Sequence, residues 1–314
     1  MRENRMNMVQ TYEQYMTIFL ALSEIYKSPV SFNTIGEFTT NSKNMTIDKP
    51  ANQSSLREEF QLLMIIRPVY NDNDFKLARE GCGDMYSNGI LPLDKYSVHL
   101  SSNVPKRGNF INAITVPSYK NKRAFIVTKY PTEEDAVDFL RLLNDHECDT
   151  VICMDPINKI DSSEAWLPSS SSSKTVPPFT IHVQSQSANH IISTTVHILE
   201  KNNEEEAHPV TIIEPKVRIE TSGTFLDTSP LRSLVSTTLA IETENPITIV
   251  SSDGAALSGV FCAVHNVIQQ INMDACVDVF TAVRQLQVRR PEFCSNLVRF
   301  SEPNIYIFLI IGHG

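Results

Sequence analysis

The segment 246–271 constrains the fold more than any other part of the chain. Pro246-Ile-Thr-Ile-Val250 is a β-branched, apolar run, a loop of small residues (SSDGAALS) follows it, and Val260, Phe261, Val264, Val267, Ile268 and Ile271 then recur at helical spacing. A buried strand feeding a helix through a tight turn is the building unit of an α/β fold. The turn also presents free backbone N–H groups and the positive end of a helix dipole at one point. It is therefore either an anion cradle or an ordinary βα turn, and the residues by themselves leave both open.

The rest of the chain agrees with a mixed α/β domain. Helices are expected at 56–66, 132–145, 259–272 and 277–289, and strands at 123–128, 150–154, 178–185, 190–199, 209–220 and 246–250. Thr132 is placed to cap its helix, with Glu133, Glu134 and Asp135 in the first turn and Ala136, Phe139, Leu140 and Leu143 as the apolar stripe. Asn202–Glu206 (NNEEE) reads as a charged hairpin tip, and the serine run Ser169–Ser173 as a surface loop. Near the N-terminus, residues 8–26 form an amphipathic helix with Tyr15, Ile18, Phe19 and Leu22 on one face. The polar stretch 28–55 has no periodicity and reads as a linker.

Composition excludes several function classes. With 41% hydrophobic residues the chain can bury a core, and a formal net charge of −9 argues against nucleic acid as a partner. The six cysteines lack CxxC spacing and fit a reducing compartment with no metal and no cofactor. His182, His190 and His197 lack a matching carboxylate ligand pattern, and His265 is expected at the core or its margin. The longest apolar run, Ile305–Ile311, falls well short of the ~20 residues that span a bilayer. The sequons at Asn44 and Asn52 therefore read as chance, and a cytoplasmic location is expected. Arg284, Arg289 and Arg290 are expected to form a basic patch on a solvated face or an inter-domain contact.

Motifs in order along the chain carry a family resemblance. Leu56-Arg-Glu-Glu-Phe60, Ile90-Leu-Pro-Leu-Asp94, Phe110-Ile-Asn-Ala113, Arg123-Ala-Phe-Ile-Val-Thr128 with Pro131, Asp138-Phe-Leu-Arg141, Thr150-Val-Ile-Cys-Met154, Val277-Asp-Val-Phe280 and Arg289-Arg-Pro291 resemble successive motifs of the classical protein tyrosine phosphatases. The match extends over most of residues 56–300, and it most resembles the second, membrane-distal domain of a receptor-type enzyme. Met8-Val-Gln-Thr11 with Glu13-Gln-Tyr15 resembles the end of a phosphatase domain, where Gln10 would be the glutamine that positions hydrolytic water. The resemblance implies a tail of a first domain at 1–27, a linker at 28–55 and a second domain at 56–314. It also implies that the chain is a fragment whose catalytic first domain lies upstream. The fold implied is a twisted mixed β-sheet flanked by helices.

Phosphotyrosine hydrolysis in this family needs a cysteine thiolate, an arginine six residues later and an aspartic acid on a Trp-Pro-Asp loop. The degenerate loop Ser251, Ser252, Asp253, Gly254, Ala255, Ala256, Leu257, Ser258 and Gly259 stands where the family has HCSAGVGRTG. The resemblance thus puts Ser251 at the nucleophile position and Leu257 at the arginine position. Six residues after the cysteines come Asn88, Met154, Lys159, Ile268, Ala282 and Phe300, so no C-x5-R occurs anywhere in the chain. Trp166 is followed by Leu167 and Pro168 and fits an earlier motif. Asp227, in the expected acid-loop region 221–230, has nothing around it to support an acid role. The second-domain glutamine position falls near Ser295, and Tyr86 lies near the phosphotyrosine-recognition tyrosine but out of register.

The loop is expected to hold no cation and to gain Asp253. A carboxylate about 4–5 Å from a phosphate dianion costs on the order of several kcal/mol at an effective dielectric of about 20. The missing arginine forfeits roughly 1.5–3 kcal/mol more. The reading is a non-catalytic regulatory or scaffolding domain. Its expected partners are an upstream active phosphatase domain of the same receptor, a second copy, or phosphotyrosine-signalling proteins. An active phosphatase and a phosphotyrosine-binding module stand as alternatives.

Overall fold

A computed structural model describes residues 9–27, 32–45, 50–82, 89–168, 173–201, 203–219 and 227–296, with single positions 301, 304 and 307. In chain order the elements are α1 (Tyr12–Lys27), β1 (Asn33–Thr34), α2 (Ile35–Met45), α3 (Pro50–Ile66), α4 (Lys76–Cys82), β2 (Ser97–His99), β3 (Phe110–Val116), β4 (Phe125–Lys129), α5 (Ala136–Asp145) and β5 (Thr150–Cys153). The second half contains α6 (Ser163–Trp166), β6 (Ser173–Val176), β7 (Phe179–Ala188), β8 (Ile191–Glu200), β9 (Asn203–Pro215), α7 (Ser229–Leu239), β10 (Ile247–Ser251), α8 (Ala256–Asp274), β11 (Cys276–Val277) and α9 (Val279–Arg289).

Among the described residues nine strands form one mixed sheet in the order β2-β3-β4-β10-β5-β9-β8-β7-β6. Its centre, β4-β10-β5-β9, is parallel, and both wings are antiparallel. Parallel strands are covered on both faces, so they read as continuous apolar runs, and alternate residues enter different cores. Ile249 and Ile152 face the layer of α7, α8 and α9, whereas Val250 and Val151 face the layer of α5 and α6. Trp166 is 1% exposed and packs edge-on against Phe139 at 5.0 Å in the second layer.

The expected α/β class and its main elements are present, with shifted boundaries. Four expectations need correction. The stretch 28–55 is not a bare linker: β1, α2 and the start of α3 lie within it, β1 pairs antiparallel with β11, and Phe38 is buried in the larger core. Its polar composition hid a helix held by one aromatic anchor and a strand pair. Thr132 does not cap α5. That helix begins at Ala136, and the Thr132 Oγ1 accepts the Asp135 N–H in the turn before it. Of the acidic hairpin tip, Asn203–Glu206 already belongs to β9, with Asn203 paired to Glu200. In the serine run, Ser173 opens β6, while 169–172 fall outside the described residues. Among the described residues no helix is long and apolar enough to cross a membrane.

Candidate functional site

β10 lies between β4 and β5 and hands the chain to α8, so the loop Ser251–Gly259 sits at the carboxyl end of a central parallel strand, where α/β folds place ligands. Ser251 is 1% exposed. Its carbonyl accepts the N–H groups of Tyr130 (3.1 Å) and Gly254 (3.3 Å), which fixes the turn. Gly254 has φ +67°, and a Cβ there would lie 3.0 Å from both the Lys129 nitrogen and the Arg290 Nη1, so glycine is required. Gly259 is required by contact instead: a Cβ would come within 3.1 Å of the Phe293 Cα.

The side chains of the loop are engaged with the protein itself. Ser258, fully buried, donates its hydroxyl to the Ser251 Oγ at 2.8 Å. Ser252 is exposed and donates to the Asp155 carboxylate at 3.2 Å, whose other oxygen lies 3.4 Å from the Arg218 Nε. Asp253 turns back over the helix start, and one carboxylate oxygen accepts the N–H groups of Ala255 (2.8 Å) and Ala256 (2.9 Å). The free amides that make a helix N-terminus an anion site are here occupied by a side chain of the same loop. Leu257 packs on the larger core.

The expectation that the loop lacks a cation is corrected. Arg290, just past α9, is 2% exposed, and its Nη1 donates to the Gly254 carbonyl at 2.5 Å. Its Nη2 donates to the Asn112 Oδ1 at 3.0 Å. Burial draws this guanidinium down to about 10, with Glu292 and Asp253 opposing that pull. The cation thus braces the loop backbone through a carbonyl. The expected basic patch dissolves for the same reason: Arg290 is internal, and Arg289 stacks over the Tyr96 ring at 4.2 Å.

Among the described residues the loop sets no base beside the Ser251 hydroxyl or a thiol. Among the described residues neither a histidine nor a carboxylate bonds the Ser251 hydroxyl, and that hydroxyl stays un-ionised at neutral pH. The described cysteine side chains are buried free thiols. Desolvation pushes Cys148 up to about 11 and Cys153 and Cys262 upward as well, away from the thiolate. Asp227 is exposed and accepts both the N–H and the hydroxyl of Ser229 at the start of α7. Those bonds hold its carboxyl below the usual range, the wrong direction for a general acid. Gln10 and Ser295 are exposed, and Tyr86 lies outside the described residues. Among the described residues no cluster of His, Cys, Asp and Glu could hold a metal.

His265 lies in the core, as expected, against Phe125 (5.0 Å, edge-on) and Phe261 (6.2 Å, stacked), with its Nδ1 unpartnered. Burial lowers it to about 4 from 6.5. The unfolded chain therefore binds a proton that the native state refuses, and stability falls as pH drops from about 6.5 to about 4, by about 3 kcal/mol in all. Urea titrations across that window should flatten in His265→Gln; an unchanged pH slope would refute the assignment.

Sequence reasoning missed the buried role of Arg290 and the seat of Asp253. A signal for the second was present: an aspartate just ahead of a helix start is a capping residue. The loop, the sheet position beneath it and the helix behind it together define an α/β domain with its candidate site at the carboxyl end of a central parallel strand. The protein-tyrosine phosphatase family model matches residues 86–302, and the chain belongs to that family. It is similar to the receptor-type tyrosine-protein phosphatase U of Gallus gallus, 26% identical over 94% of this chain and 21% of that protein. It is similar also to the receptor-type tyrosine-protein phosphatases epsilon of Homo sapiens (24%, covering 95% of this chain and 44% of that protein) and zeta of Rattus norvegicus (21%, covering 95% and 13%). The chain thus spans less than half the length of these relatives.

Proposed function

We propose that this receptor-type phosphatase domain is non-catalytic and serves as a regulatory or scaffolding module, the second domain of a receptor whose hydrolytic activity lies in a preceding one. The observation that carries the reading is the loop itself. Ser251 replaces the thiol, Leu257 replaces the clamp, and the Asp253 carboxylate sits on the amides an incoming phosphate would need. The assignment of 1–27 to the end of a preceding domain, with Gln10 as its water-positioning glutamine, is supported by α1. Its Tyr15, Phe19 and Leu22 are each more than half exposed, an apolar stripe suited to burial against another body. The first domain of the same receptor is the proposed partner, on the cytoplasmic side of the membrane.

The purified chain should hydrolyse p-nitrophenyl phosphate no faster than its Ser251→Ala variant. Calorimetry with a phosphotyrosine peptide should show no saturable binding. Turnover that Ser251→Ala abolishes would establish an atypical active phosphatase, and micromolar peptide binding would establish a phosphotyrosine-binding module.

A further inference from the structure

Among the described residues the outer wing of the sheet leaves an edge open. β6 pairs only with Phe179–His182 of β7, through Val176↔Phe179 to Ser173↔His182. The ladder between β7 and β8 shifts register between Val183 and Ser185, and beyond this bulge Ser185–Ala188 pairs with β8 alone among the described residues. The side chains from Gln184 to Ala188 are all exposed. Unpaired strand edges present a row of backbone donors and acceptors that a further strand can satisfy. Nothing in Gln184-Ser-Gln-Ser-Ala188 blocks that: it has no proline, no lysine and no inward charge, the devices that usually protect an edge.

A groove of about 610 Å³ runs beside this edge. Gln184, Ser185 and Gln186 lie on its β7 wall, and Thr194 of β8, Glu214 of β9 and Glu164 of α6 are among its other polar lining residues. Among the described residues that line it there are two carboxylates and no lysine, arginine or histidine. Glu164 is exposed, whereas Glu214 is 6% exposed and accepts the Ile157 N–H at 2.5 Å. Ala188, Ile192 and Glu214 share one cross-strand row. A strand added outside β7 would run beside the Gln184–Gln186 wall of the groove, whereas Glu214, three strand spacings or about 14 Å away and bonded to the Ile157 N–H, lies beyond the reach of its side chains. The groove shares no lining residue with the loop Ser251–Gly259.

We propose that this wing docks an extended peptide segment of a partner protein, which adds as a strand to Ser185–Ala188 and sends a lysine or arginine side chain into the acidic groove. Backbone hydrogen bonds supply the attachment and the exposed Glu164 carboxylate supplies the selection for a cation. The surface is independent of phosphate chemistry and would operate with an inert loop.

The test is fluorescence anisotropy of the full chain against an array of labelled heptapeptides, Thr-X-Thr-Arg-Thr-X-Thr, with X valine, isoleucine or tyrosine. Saturable binding is expected for at least one member. Exchanging its arginine for glutamate, or N-methylating the alternate amides that face β7, should each weaken it by about tenfold or more. Glu164→Lys, an exposed site, should weaken the arginine peptide about as much and leave the folded spectrum unchanged. Absence of saturable binding across the array would overturn the proposal, as would equal binding of the N-methylated peptide, which would mark plain charge attraction. Concentration-dependent dimerisation that the peptides fail to compete would assign the edge to a second copy instead and overturn it too.

Discussion

Arg290→Ala is expected to destabilise the domain by about 3–5 kcal/mol, seen as a lower urea midpoint with little change in m-value. Two acceptors lose a charged donor, the carbonyl of the buried Gly254 and the Oδ1 of the half-buried Asn112, and at the first of them water is a poor replacement. Each charge-assisted bond contributes roughly 1.5–3 kcal/mol, and an orphaned buried acceptor costs about 1–3 kcal/mol. Against that stands the cost of burying the guanidinium, visible in its depressed pKa of about 10. That relief offsets only part of the loss, because the alanine also leaves a void behind the loop. Arg290→Lys should recover little, since one ammonium does not reproduce a planar fork that spans two acceptors. A wild-type midpoint for Arg290→Ala would show that the loop stands without its brace.

The same residue shows where a sequence stops being informative. β10, α8, β4 and α5 were legible because burial writes its period into the residues: unbroken apolar runs in central strands, and Ala136, Phe139, Leu140 and Leu143 on one helix face. α2 was not legible, because IGEFTTNSKNM has no stripe; its place is set by Phe38 and by the pairing of β1 with a strand more than two hundred residues away. α7 is absent from the expected helices although Pro230, Leu231, Leu234 and Val235 hold a proper helical start and spacing; only its first two residues fall in the expected acid-loop region 221–230. For the candidate site, the residue types at Ser251 and Leu257 carry the proposal of a missing chemistry. Arg290 looked like a surface charge beside Arg289 because burial of a cation leaves no local mark; it depends on acceptors from β3 and the loop.

Rebuilding the chemistry should then require three changes together. In Ser251→Cys/Asp253→Ala/Leu257→Arg, the thiol enters a turn whose amides are released from the Asp253 carboxylate and whose Ser258 hydroxyl already points at position 251 from 2.8 Å. Free amides and the α8 dipole favour a thiolate, so alkylation by iodoacetate near pH 6.5 should run at least about tenfold faster than in Ser251→Cys alone. The arginine stem can lie along the apolar surface that Leu257 covers while its head reaches the loop mouth. p-Nitrophenolate is a good leaving group, so the variant should turn over p-nitrophenyl phosphate measurably with no general acid, while phosphotyrosine peptides remain poor substrates. The decisive comparison is the double variant Ser251→Cys/Leu257→Arg, which keeps Asp253. If it matches the triple variant in thiol reactivity and in vanadate inhibition, the carboxylate on the amides is no barrier, and the two missing groups alone account for an inert loop. If only the triple variant gains a reactive thiol, the domain holds its own anion in the place of a substrate's.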